Sequence, residues 1–180
     1  MKIRALLLLV IGIWIGATIA IGAVVSYNLA GFEDLFARNP PLASQAGFDP
    51  ADSRAKKESL LWVFASELNR AVFAGWNLTQ LAIGALAIAL ALIARARWPI
   101  QLTLVLALAL VAYLQLVLEP ELVRLGRALD FVPRDPPPPG IPDFQRFHGL
   151  YFAAETLRFG LVLLAGALLV LSPMGGRASH

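Results

Sequence analysis

Phe144–Leu171 reads FQRFHGLYFAAETLRFGLVLLAGALLVL, and the fold class turns on this stretch. His148, Tyr151, Glu155 and Arg158 recur at i, i+3, i+7 and i+10, which puts them on one face of an α-helix. After Arg158 every residue to Leu171 is apolar or glycine. At about 1.5 Å per residue, Arg158 lies roughly 20 Å from the apolar end, well inside a hydrocarbon core of about 30 Å. Charge at such depth is costly and turns toward a protein interior or a wet cavity. The rest of the chain must supply what this face meets.

Outward from that helix, three more apolar runs stand in the sequence: Ala5–Val25, Ala71–Ala94 and Ile100–Leu118. Each is about the 20 residues that a spanning helix needs. With 58% hydrophobic and 15% charged residues in a chain of 180, the expected class is an all-α, four-helix transmembrane bundle in one integral membrane domain. The expected spans are 5–27, 70–95, 99–119 and 148–172, with loops at 28–69 and 120–147 on the external side. Short alternating strands of a membrane barrel are not seen. The chain has no cysteine, which excludes disulfides, thiolate metal sites and a cysteine nucleophile. Its net charge of +3 comes from scattered basic residues without a recognition motif, so nucleic acid is not an expected partner.

Orientation follows from the short loops. Four spans leave the N-terminus, the loop between spans two and three, and the C-terminus on one side. These segments carry Lys2, Arg4, Arg95, Arg97 and Arg177 and no acidic residue. The positive-inside rule then makes both termini cytoplasmic and the site a cell membrane, inner or plasma. The first run is longer than the apolar region of a secretory signal and lacks a clean small-x-small site after it, so it is read as a retained helix. Gly12, Gly16, Ala20 and Ala23 form a strip of small residues along it, suited to close helix approach. Packing inside the bundle is the expectation, with a homodimer seam as the alternative.

The loops carry their own signals. FEDLF at 32–36 is a short amphipathic piece ended by Pro40–Pro41. Asp49, Pro50 and Asp52 spell a helix start at N-cap, N1 and N3, and that helix is expected to run on into span two past Trp62. Arg95–Pro99 makes a tight hairpin of spans two and three. Pro120 is expected to disturb span three, with Leu122–Phe131 as an amphipathic extension. Pro133–Gly140 is a stiff polyproline-like spacer, and Pro173 stops the last helix.

The polar residues of spans two, three and four gather in the external halves. Glu67, Arg70, Asn77, Gln115, Glu119, His148, Tyr151, Glu155 and Arg158 are therefore the candidate lining of a ligand pocket. Gln80 is among the deepest polar residues. Under this reading, replacing Glu155 and Arg158 together by leucine abolishes activity and leaves expression intact. The competing reading is structural. Arg158 can snorkel toward the external interface and pair with Glu155 one turn away, as Arg70 can with Glu67. His148 lacks a nearby second metal ligand or catalytic partner other than Glu155, and the chain's other histidine is His180. Gly-rich phosphate loops, zinc motifs and nucleophile elbows are missing, so no catalytic residue, metal or cofactor is assigned. The nearly pure aliphatic inner halves disfavour a transport pathway.

Glu67-Leu-Asn-Arg70 with Trp76, the paired hairpin, and Phe144-xxx-His148-xx-Tyr151 resemble the transmembrane protein 205-like group, which includes the bacterial domain-of-unknown-function family 4149. The resemblance runs over essentially the whole chain. The Pro-rich loop and the segment from Asp49 to Glu58 depart from that pattern. It implies a multi-pass membrane protein with a retained first span and carries over no catalytic residues. Function is expected to be that of a binding or accessory component, with membrane lipids and a membrane-protein partner or second copy as partners. The alternative is a small membrane enzyme or transporter for an amphiphilic or anionic ligand.

Overall fold

A computed structural model of the chain describes residues 2–33, 38–45, 47, 54–132 and 136–172. The protein is an all-α four-helix bundle. Its elements are α1 (Lys2–Glu33), a short α2 (Pro40–Gln45), α3 (Arg54–Ile93), α4 (Trp98–Tyr113), a π-helical turn (Leu114–Leu118), α5 (Glu119–Ala128) and α6 (Ile141–Leu171). Four stretches are long and apolar enough to cross a membrane: Lys2–Asn28, Ser59–Ile93, Trp98–Ala128 and Ile141–Leu171. The last three run well past the expected spans at one end because the amphipathic flanks continue the helices. α1 packs on α3 and α6, α3 on α4, and α4 on α6, so neighbours close a ring. The helix start expected at Asp49–Asp52, most of FEDLF, residues 133–135 of the spacer, and Pro173, Arg177 and His180 lie outside the described residues.

One end of the bundle is tied by backbone capping. Arg95 adopts a left-handed conformation (φ 49°), so that Ala96 N–H reaches Ala91 O at 2.9 Å and Arg95 N–H reaches Leu92 O at 3.0 Å. These are the two bonds of a Schellman ending, which satisfies carbonyls the helix would leave open. Pro99 then occupies the first turn of α4, where its missing N–H costs nothing. At the same end Arg4 donates from Nη2 to Ser172 O at 2.7 Å and to Leu169 O, capping the last turn of α6 from the start of α1. Both described chain ends therefore meet beside the α3–α4 turn, at what we call the terminal end. The opposite end is the loop end.

Most of the apolar core lies toward the terminal end, from Leu7, Ile11 and Trp14 through Ala87 and Ala91 to Ile100, Leu104, Val162 and Ala165. A smaller cluster of Leu114, Leu118 and Tyr151, with Phe73 and Phe147 against it, lies toward the loop end. The buried face of α1 is Leu7, Ile11 and Trp14, with Thr18 in line, at heptad-like spacing. This corrects the expectation that the Gly12, Gly16, Ala20 and Ala23 strip packs inside the bundle. All four are exposed, and a Cβ placed on Gly12 or Gly16 would meet nothing within 4 Å. Large side chains, not small ones, make the contact of α1.

Pro120 is accommodated without ending the helix. A proline at this position removes its own N–H and crowds the carbonyl four residues back. The chain answers with the π turn at Leu114–Leu118, in which Glu119 N–H reaches back five residues to Leu114 O. Such a turn widens the helix locally and re-aims the side chains that follow it. Glu119 is the first of these.

Candidate functional site

Between the two apolar clusters runs a chain of side-chain hydrogen bonds that touches all four spans. It begins on α1. Trp14 is fully buried, and its indole Nε1 donates to Gln80 Oε1 of α3 at 3.0 Å. An indole can only donate, so this bond fixes which way the Gln80 amide faces. Gln80 Nε2 therefore turns to acceptors: Glu155 Oε1 of α6 at 3.1 Å and Asn77 Oδ1 at 3.3 Å. With its oxygen held by Gln80, Asn77 points Nδ2 at Glu119 Oε2 of α5 at 2.7 Å. Tyr151 OH of α6 sits 3.3 Å from Asn77 Oδ1 and 3.2 Å from its Nδ2. Its ring is set edge-on against Phe73, with centroids 5.6 Å apart. Both amides are completely buried.

The ion pair hangs from the same chain. Arg158 has 0% exposure. Its Nε and Nη2 both approach Glu155 Oε2, at 2.7 and 2.5 Å. Nη2 also lies 3.3 Å from Thr18 Oγ1, whose hydroxyl donates to Trp14 O at 2.8 Å. The guanidinium carbon stands 5.8 Å from the centre of the Trp14 ring. Cation–π attraction of this kind gains strength where water is excluded. Sequence spacing alone allowed Arg158 to snorkel outward. Its full burial shows that it turns into the bundle instead, with α1 as a wall.

A second polar group lies at the loop end. Arg70 grips Asp130 with both nitrogens, Nη1 to Oδ2 at 2.9 Å and Nη2 to Oδ1 at 3.1 Å. Nη1 also reaches Glu67 Oε1 at 2.5 Å, and Arg127 Nε approaches the same oxygen at 3.7 Å. The fork fixes the end of α5 against α3. Gly126 makes room for it, since a Cβ there would come within 3.0 Å of Arg70 Nη2. Both partners of the fork are largely buried, so the pair is worth more than a solvated one. Asp130→Asn is expected to lower stability by about 1 kcal/mol and to speed amide exchange over Leu122–Leu129. Unchanged exchange in that segment would show that apolar contacts alone hold it.

The nine residues expected to line one pocket are thus distributed. Asn77, Glu119, Tyr151, Glu155 and Arg158 meet in the buried chain. Glu67 and Arg70 belong to the loop-end group. His148 is exposed and stacks on Phe144, with centroids 5.9 Å apart, away from Glu155's partners. Gln115 lies on the π turn, and its buried Oε1 has no hydrogen-bond partner among the described residues. Trp14, Thr18 and Asp130 were missed by the sequence reading. The one available signal was Trp14 itself, a polar N–H in mid-span that needs an acceptor. Among the described residues no three His, Cys, Asp or Glu side chains gather as metal ligands. Compared with known proteins, the chain matches no family model, no characterised protein and no solved structure.

Proposed function

We propose that the chain is a multi-pass protein of the cell membrane, both termini cytoplasmic, that serves as a binding or accessory component of a membrane assembly. The observation that carries this reading is the cross-helix bonding of Glu155 and Gln80. Glu155 accepts from Gln80 through one oxygen and from Arg158 through the other, and Gln80 uses its oxygen and both amide hydrogens within the bundle. Groups committed in this way hold helices in register, and interhelical hydrogen bonding is how polar residues act in lipid. The orientation rests on Lys2, Arg4, Arg95 and Arg97 at one end. The resemblance to the transmembrane protein 205-like group agrees with a multi-pass role.

One observation favours the second reading, a small membrane enzyme or transporter for an amphiphilic or anionic ligand: Arg158 Nη1 is buried without a partner among the described residues. Native mass spectrometry of the protein gently extracted from its own membrane separates the two. A stoichiometric protein partner, or a second copy, without a small-molecule adduct is the expected result. A reproducible small anionic adduct that disappears in Arg158→Leu would replace the accessory reading with the second one.

A further inference from the structure

The buried hydrogen-bonded chain holds two carboxylates, Glu155 and Glu119, against one guanidinium, Arg158. Glu155 takes that guanidinium at 2.5 Å. Glu119 has 8% exposure and, among the described residues, forms no ion pair. Among the described cations toward the loop end, Arg70 is engaged by Asp130 and Glu67 and Arg124 by Glu121, Arg127 lies near Glu67, and Arg146 is exposed. From the elements packed around it, Glu119 meets Asn77 on α3, while Tyr151 on α6 contacts that same Asn77. Glu155 lies one helical turn beyond Tyr151 and adds no positive charge. Among the described residues, the buried chain thus carries one negative charge in excess. An uncompensated charge inside a protein is expensive enough that the folded state recruits a counter-charge.

One turn away along the same helix stands a further acceptor. Gln115, four residues before Glu119 on the π turn, has a buried amide oxygen with no donor among the described residues. Tyr151 supplies a hydroxyl oxygen, and Glu119 has a second carboxylate oxygen besides the one bonded to Asn77. Because Trp14 fixes Gln80 and Gln80 fixes Asn77, the amide cannot turn its oxygen on Glu119 without losing the bond to Gln80. We propose that Glu119, with Tyr151 and Gln115, binds one small monovalent cation, an alkali ion or a proton. A charge of one balances the chain, whereas a divalent ion would leave it positive. Oxygen-only donors suit a hard cation and no softer metal. The proposal does not rest on the accessory reading, and its test does not involve a partner.

The full chain in detergent is compared in sodium chloride and in the chloride of a bulky organic cation, at equal ionic strength and fixed pH. An alkali ion at the site gives a saturable rise in the unfolding midpoint with sodium, as mass action requires. The rise is absent in Glu119→Gln and reduced in Tyr151→Phe. A proton at the site gives no sodium dependence. It is read instead as a protonated-carboxyl carbonyl stretch in the infrared spectrum of the wild type that Glu119→Gln removes. A wild type with no sodium dependence and no protonated-carboxyl stretch at all would overturn the proposal. This holds whether or not the Glu119→Gln variant folds.

Discussion

Arg158→Leu is expected to lower the stability of the bundle by about 3–5 kcal/mol, and adding Glu155→Leu is expected to restore much of the loss. The single change removes a fully buried guanidinium and leaves the Glu155 carboxylate with Gln80 as its described partner. It also removes the contact to Thr18 and the cation over Trp14. The double change removes both charges and fills the space with apolar volume, which a bundle in lipid accepts readily. Gln80 Nε2 still has Asn77 Oδ1 as an acceptor, so little is left unpaired. A thermal-unfolding cycle over wild type, both single variants and the double variant measures the coupling directly. Additive losses would mean that the two side chains act independently. A competing effect limits the magnitude, because interhelical hydrogen bonds in membrane proteins average only about 0.6 kcal/mol against an unfolded state that finds other partners. A coupling well above that figure would show that the charge, and not the hydrogen bond alone, decides the effect.

Much of the fold was legible because membrane solvent simplifies the problem. Twenty apolar residues have one common solution, and four such runs, two of them joined by a short basic turn, point to an antiparallel bundle. The polar face of α6 was legible by its period, since His148, Tyr151, Glu155 and Arg158 share a side wherever the helix lies. Partners were harder. Whether Arg158 snorkels or turns inward depends on what α1 presents: Thr18 looks like an ordinary span residue in sequence, and Trp14 signals a need for an acceptor without naming it. The strip on α1 was misread for a related reason. Small residues permit close approach but do not compel it, and the bulky face of Leu7, Ile11 and Trp14 wins by filling the space between α3 and α6. His148 shares the helical face of Tyr151 but sits a turn nearer the loop end, past the reach of the buried chain. Periodicity reports the face of a residue and not its depth among neighbours.

Gly84 is a small residue that does matter for packing, and Gly84→Ala is expected to cost about 1–3 kcal/mol. A Cβ there would stand 2.8 Å from Leu108 Cδ1 and 2.9 Å from Trp14 Cη2. The two neighbours differ in their freedom to yield. Leu108 is only partly buried and its methyl can rotate aside. Trp14 is fully buried, and its ring is pinned through Nε1 to Gln80. Moving the ring stretches the bond that orients Gln80, and with it the order of donors that reaches Asn77 and Glu119. Alanine is otherwise the better helix former by roughly 1 kcal/mol, so an exposed glycine of the same helix gives the baseline. Gly75→Ala, where the new methyl would meet nothing within 4 Å, should be neutral or stabilising. The decisive comparison is Gly84→Ala in a Trp14→Phe background. Phenylalanine lacks the outer ring atoms that clash, although it deprives Gln80 Oε1 of its donor, at about 1–3 kcal/mol. The alanine methyl should then cost clearly less than it does beside tryptophan. An equal cost in both backgrounds would put the strain on Leu108 and would separate Gly84 from the polar chain.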